Sequence, residues 1–195
     1  MTDDTRPPLA ARIDAWCVGR TWTWRAAVLT LFVWQAMRGL RDPTQFTLFR
    51  GIDFGAHEFG HLFFAFGGEW LMVAGGSLMQ LLVPVGAAAA LVVTAGDWFG
   101  VAACGVWLSA SFAELVPYIA DARAQEMDLV SFSPDGGGHD WHYLLAHAGL
   151  LKQDQLVARG AKFLAVVLLV ASLLFALSLL RRMAASPPAE STADA

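Results

Sequence analysis

Long apolar stretches alternate with short polar ones along this chain. Four stretches, 21–37, 70–95, 98–120 and 163–180, consist mainly of aliphatic and aromatic residues. A helix of roughly 20 apolar residues crosses a bilayer, and somewhat shorter helices also suffice when the flanking side chains reach the surface. The pattern therefore predicts an all-α, polytopic membrane helix bundle with about four to five membrane segments and one short amphipathic helix.

A fifth apolar stretch, 52–66, differs from the others because titratable side chains interrupt it. Asp53, His57, Glu58 and His61 lie there among leucine and phenylalanine. Ionisable groups at membrane depth are costly, so they face a protein interior or a wet cavity. We therefore expect this helix to lie inside the bundle and to carry the chemistry of the protein.

The polar segments divide the chain into three parts. Residues 1–20 are a polar segment without the apolar core of a secretory signal peptide. Residues 21–182 form the expected integral membrane domain, and 183–195 are expected to be a disordered tail. Within the membrane domain, 121–159 is more polar and contains a glycine-rich loop followed by the short amphipathic helix, which starts near Trp141.

The composition favours a lipid bilayer as the surroundings. The chain is 56% hydrophobic and 15% charged, whereas soluble domains carry about 25% charged residues. The net charge of −4 leaves no basic patch, which argues against a nucleic-acid partner. Cys17 and Cys104 show no motif spacing, so we expect two unlinked thiols.

The sequence HEFGH, residues 57–61, predicts a metal site. Two histidines four positions apart lie on the same face of a helix, close enough to bind one ion. Glu58 is then placed to take a proton from a water molecule beside the metal. A pair of histidines among phenylalanines needs partners, and a zinc ion supplies them.

A catalytic zinc ion has three protein ligands, so HEFGH leaves one ligand to be found. The candidates are Glu114, Asp121, Asp135, His139, Asp140, His142 and His147. Asp121 is favoured because a carboxylate at the end of an apolar helix suits a ligand, although it could instead pair with Arg123. His139 and Asp140 are the next candidates, but Asp140 could simply cap its helix. Asp135, beside a glycine run, suits a turn.

Two further residues are candidates for supporting roles. Asp53 precedes His57 by four positions and could accept a hydrogen bond from the second ring nitrogen of that histidine. It could equally be a carboxylate favoured by the helix dipole. Gln80 could bind a substrate backbone, or it could form a hydrogen bond between two membrane helices.

The order of motifs resembles that of the site-2 protease family of intramembrane zinc metalloproteases. HEFGH is the first motif, and AGGSLMQLL, residues 74–82, is similar to the family's AGPxxNxxL with Gln80 at the asparagine. FAELVPYIADAR, residues 112–123, is similar to FNxxPxxPLDGGR and places Asp121 at the zinc ligand. A rival match, PDGGGH, places Asp135 or Asp140 there.

The resemblance implies a zinc metalloendopeptidase that cleaves a peptide bond in or next to a membrane helix of a substrate protein. It implies Zn²⁺ as cofactor, Glu58 as general base and 21–182 as the metalloprotease-like domain. The alternative is a non-catalytic zinc-binding membrane protein of the same fold that acts through helix contacts. A zinc transporter is less favoured, because transport needs no general base.

Overall fold

The computed structural model describes residues 7–42, 45–128 and 138–186. Within these ranges the regular structure is helical, without strands, which confirms the predicted all-α class. In chain order the helices are α1 (Leu9–Cys17), α2 (Thr23–Arg41), α3 (Arg50–Phe64), α4 (Glu69–Ala95), α5 (Trp98–Ala120), α6 (Asp140–His147) and α7 (Asp154–Ala185). Short 3-10 turns, Ala65–Gly67 and Leu151–Gln153, precede α4 and α7.

Three helices of the described chain are long and apolar enough to cross a membrane. They are α4, α5 and the continuous segment Leu151–Ala185 that includes α7. The first predicted membrane segment, 21–37, is helical as α2, but α2 also contains Arg25, Arg38 and Arg41 and is not one of the three. The prediction of four to five membrane segments is therefore not confirmed.

Helix α5 lies at the centre of the bundle. Half of its most apolar 18-residue window is buried inside the protein, against 11% for α4 and 17% for the segment of α7. Small residues let α7 approach closely, since a side chain at Gly105 would overlap the Ser172 hydroxyl. The Ser109 hydroxyl donates a hydrogen bond to the Ala165 carbonyl at 2.7 Å, which ties the two helices together.

The segment that precedes α3 enters the interior of the bundle. The Phe49 ring stacks on Trp107 of α5 and packs edge-on against Phe32 of α2, with centroids 6.1 and 5.1 Å apart. The Thr47 hydroxyl donates a hydrogen bond to Glu114 at 3.0 Å. Helix α3 thus starts beside the middle of α5 and runs towards the C-terminal end of α5. Asp53 and the two histidines face neighbouring helices, as predicted, but Phe59, Leu62 and Phe63 are exposed, so α3 lies at the edge of the bundle and not inside it.

The polar segments are partly helical. In the predicted N-terminal segment, α1 packs against the end of α7, where Asp14 forms an ion pair with Arg182. Helix α7 continues to Ala185, and 187–195 of the predicted tail lies outside the described residues. The predicted amphipathic helix is α6, whereas 129–137 of the glycine-rich loop, including Asp135, is also outside them.

Candidate metal centre

Helices α3 and α4 touch through their backbones beside HEFGH. A Cβ atom built on Gly60 would collide with the carbonyl oxygen of Gly75, and one built on Gly75 would lie 2.6 Å from the carbonyl oxygen of Gly60. Only residues without side chains permit such an approach. The contact brings the histidine face of α3 directly against α4.

The two imidazole rings of HEFGH are held so that one nitrogen of each remains available. Their centroids are 4.8 Å apart. The Nδ1 atom of His61 lies 2.9 Å from the Met72 carbonyl oxygen, which can only accept a hydrogen bond. The Nδ1 atom of His57 lies 3.3 Å from the side-chain oxygen of Gln80, whose amide nitrogen donates to the Ser111 carbonyl at 3.4 Å. Both Nδ1 atoms thus have an oxygen partner, which leaves both Nε2 atoms free to contact another group.

The carboxylate of Asp140 meets these two free nitrogens. Its Oδ2 atom lies 2.9 Å from His57 Nε2 and 3.3 Å from His61 Nε2. Neighbouring ligand atoms around a tetrahedral zinc ion with bonds of about 2.0–2.1 Å are about 3.3 Å apart. The 2.9 Å distance is that of a hydrogen bond from His57. When both Nε2 atoms are deprotonated the three atoms are spaced as zinc ligands, so the residues present fit a zinc ion.

The charge of Asp140 agrees with this role. Burial acts to raise the pKa of Asp140, but the adjacent imidazoles of His57 and His61 lower it to about 2. The carboxyl group is therefore ionised at neutral pH, which is the form that binds a metal.

Glu58 completes the cluster. One carboxylate oxygen of Glu58 and one ring nitrogen of each histidine lie within 4.8 Å of one another. A carboxylate at this distance can act as a base towards a molecule held between the ligands. It can also move in as a further ligand.

Gly76 borders the free nitrogens from the side of α4. A Cβ atom at this position would lie 2.6 Å from His57 Nε2 and 2.7 Å from His61 Nε2. The absence of a side chain at Gly76 is thus what leaves room for the two imidazole edges.

Asp121, the favoured third ligand in the sequence analysis, does not join the histidines. Its carboxylate accepts hydrogen bonds from the backbone N–H groups of Glu126 and Met127, at 2.9 and 3.1 Å, and lies 3.3 Å from His139 Nε2. The chain turns immediately after α5, so Asp121 closes that turn. The geometry instead points to Asp140, one of the predicted alternatives.

The remaining candidates within the described residues have partners other than the two histidines. His139 caps the start of α6 by accepting a hydrogen bond from the His142 N–H group. Burial lowers the pKa of His139, which keeps the ring neutral at pH 7. Glu114 accepts from Thr47, His142 contacts the Ala122 carbonyl and His147 contacts the Tyr143 carbonyl.

Asp53 does not contact His57, but it lies in the first turn of α3, which agrees with the alternative prediction of a carboxylate favoured by the helix dipole. It is fully buried and accepts hydrogen bonds from the Trp107 indole and the Ser111 hydroxyl, both at 2.8 Å. It faces α5, and Gln80 takes the place beside His57 that the sequence analysis had offered to Asp53. Gln80 thus forms the helix–helix contact that was one of its two predicted roles.

Sequence reasoning missed Tyr118, whose hydroxyl accepts a hydrogen bond from the Asp140 N–H group at 3.0 Å. A tyrosine near the end of an apolar helix was the available signal, because its hydroxyl needs a polar partner when buried.

Comparison of the chain with family models, curated proteins and solved structures found no match.

Proposed function

We propose that the protein is an intramembrane zinc metalloprotease that hydrolyses a peptide bond in or next to a membrane helix of a substrate protein. One observation carries the proposal. His57 Nε2, His61 Nε2 and Asp140 Oδ2 converge at ligand spacing with Glu58 beside them. Three protein ligands with an adjacent carboxylate base are the donor set of a catalytic rather than a structural zinc site.

The residues around the site have distinct tasks in this reaction. A bound zinc ion supplies Lewis-acid chemistry, by which it activates water and polarises a carbonyl group. Glu58 accepts the proton of the attacking water and passes it to the leaving amine. Gln80 and the Met72 carbonyl orient the imidazoles, and Gly76 keeps α4 clear of them.

The setting supports a substrate within a membrane. Gly76 lies seven residues after the first residue of α4, or about 10 Å along the helix axis, so the site lies inside the bundle but near one end. Phe59 and Phe63 are exposed on α3, the helix that carries Glu58, and suit an apolar substrate segment or lipid. A helical substrate must unwind locally there, because its carbonyl groups are otherwise hydrogen-bonded.

We further propose that α2 is a fourth membrane segment and α3 a short inserted helix, which makes the protein a multi-pass integral membrane protein. Helix α2 packs on α5. Arg25 and Arg38 stack on Trp24 and Trp34, at 4.3 and 4.9 Å from the ring centroids. Arg38, near the C-terminal end of α2, can reach a membrane surface in this way, whereas the buried Arg25 is covered by tryptophan near the other end.

The experiment uses the full chain reconstituted in lipid vesicles with a panel of single-span substrates that carry glycine or proline within the helix. We expect about one zinc ion per chain and cleavage of at least one substrate. Glu58→Gln should retain zinc and lose cleavage by at least about 100-fold, because it removes the general base. Glu126→Gln, an exposed glutamate outside the site, is the matched control.

A non-catalytic zinc protein is the second candidate, because the closeness of Glu58 would also let it close the site as a fourth ligand. X-ray absorption separates the two functions. Four protein ligands, zinc loss in Glu58→Gln and an uncleaved panel would together overturn the protease proposal.

A further inference from the structure

The third ligand lies on an element that needs outside support. Asp140 is the first residue of α6, which has eight residues and follows a long connection from α5. Helices shorter than about 12 residues are marginal by themselves. The position of the Asp140 carboxylate must therefore come from contacts between α6 and the rest of the bundle.

Tyr118 makes one of these contacts at the ligand itself. Its hydroxyl accepts the hydrogen bond of the Asp140 N–H group at 3.0 Å. Its ring packs on His139, with centroids 4.5 Å apart, and lies 6.1 Å from the ring of His57. One side chain of α5 thus touches the third ligand, its neighbour in the chain and the first histidine.

A second contact joins the residue before the ligand to the end of α5. His139 Nδ1 accepts the His142 N–H group, so the Nε2 atom carries the ring proton. That Nε2 atom lies 3.3 Å from Asp121 Oδ2. Asp121 is in turn fixed by two backbone N–H groups, those of Glu126 and Met127.

We propose that Tyr118 and the Asp121–His139 pair are positioning residues, which set the Asp140 carboxylate against His57 and His61. Neither touches the metal in this arrangement, and both act through Asp140. The inference rests on the metal site of the proposed function and not on proteolysis. Asp121 thereby contributes to the site without being a ligand.

The test measures zinc affinity of the solubilised full chain by competition with a chelator. Partners that orient metal ligands are worth about 10–100-fold in affinity, so we expect Tyr118→Phe and Asp121→Asn each to weaken binding by about 10-fold or more. The Co²⁺-loaded variants should also show an altered d–d spectrum, because the carboxylate is displaced. Thermal unfolding of the metal-free Tyr118→Phe chain should change little, whereas Asp121→Asn also loses one backbone hydrogen bond in the exposed turn after α5.

Matched controls separate positioning from general effects. Ser178→Ala removes a hydroxyl of α7 that donates within its own helix to the Phe175 carbonyl. Asp14→Asn removes an ion pair with Arg182 at the opposite end of the bundle. Both controls should bind zinc as the unchanged chain does.

A double-mutant cycle gives the decisive result. Because Tyr118 acts through Asp140, Tyr118→Phe should have no further effect on zinc affinity in an Asp140→Asn chain. Additive losses, or a Tyr118→Phe chain that binds zinc normally while Asp140→Asn does not, would overturn the inference and leave the metal site standing. Zinc binding that depends on Tyr118 without any proteolysis would overturn only the proposed function.

Discussion

Substitution of Gly76 by alanine tests whether the two histidine nitrogens form the metal site. The added Cβ atom would lie 2.6 Å from His57 Nε2 and 2.7 Å from His61 Nε2. Ordinary contacts require about 3.5 Å, so the rings or the helix must move by about 0.8 Å. Metal–ligand bonds tolerate only about 0.2 Å. We therefore expect zinc affinity to fall by at least about 100-fold, or about 2.8 kcal/mol.

The control for Gly76→Ala is Gly86→Ala on the same helix, where a Cβ atom meets no other atom within 4 Å. In a helix interior, glycine to alanine gains up to about 1 kcal/mol. Gly86→Ala should therefore be as stable as the unchanged chain or more stable, with unchanged zinc affinity. Chelator competition and thermal unfolding measure both quantities. A folded Gly76→Ala chain with normal zinc affinity would refute the site geometry.

Three further variants test other contacts. Gln80→Leu should lower zinc affinity by about 10–100-fold, because it removes the acceptor that orients His57; unchanged affinity in chelator competition would contradict this. Asp53→Asn should destabilise the protein by about 1–3 kcal/mol, since the amide cannot accept from both Trp107 and Ser111; thermal unfolding should show the loss. Gly105→Ala should lower the unfolding temperature through its clash with Ser172, and Ser172→Ala in the same chain should restore it. Failure of that rescue would show that the clash is not the cause.

The pattern of apolar residues was enough to predict the helices that are apolar along their whole length. Helices α4 and α5 follow from their apolar runs, and HEFGH indicated a paired histidine face that the structure places against α4. Whether α2 crosses the membrane could not be predicted in the same way, because arginines interrupt its apolar sequence and two of them stack on tryptophans.

The choice between Asp121 and Asp140 as the candidate third ligand depends on how α6 packs on α5. The spacing of residues along the sequence does not reveal that packing. Asp121 and Asp140 both adjoin helix ends, and each is a plausible ligand by type. What separates them is that the turn after α5 uses Asp121 for backbone hydrogen bonds, whereas Tyr118 holds the start of α6 next to the histidines. The contact between Asp53 and Trp107 likewise joins residues 54 positions apart.

The donors of the candidate metal centre come from two distant parts of the chain. His61 and Asp140 are 79 positions apart in the sequence. A metal ion bound by both would stabilise the folded chain by its binding free energy, because the unfolded chain holds no such site. It would also join α3 directly to α6, which Tyr118 already ties to α5. The availability of zinc would then help to set how long the assembled bundle survives.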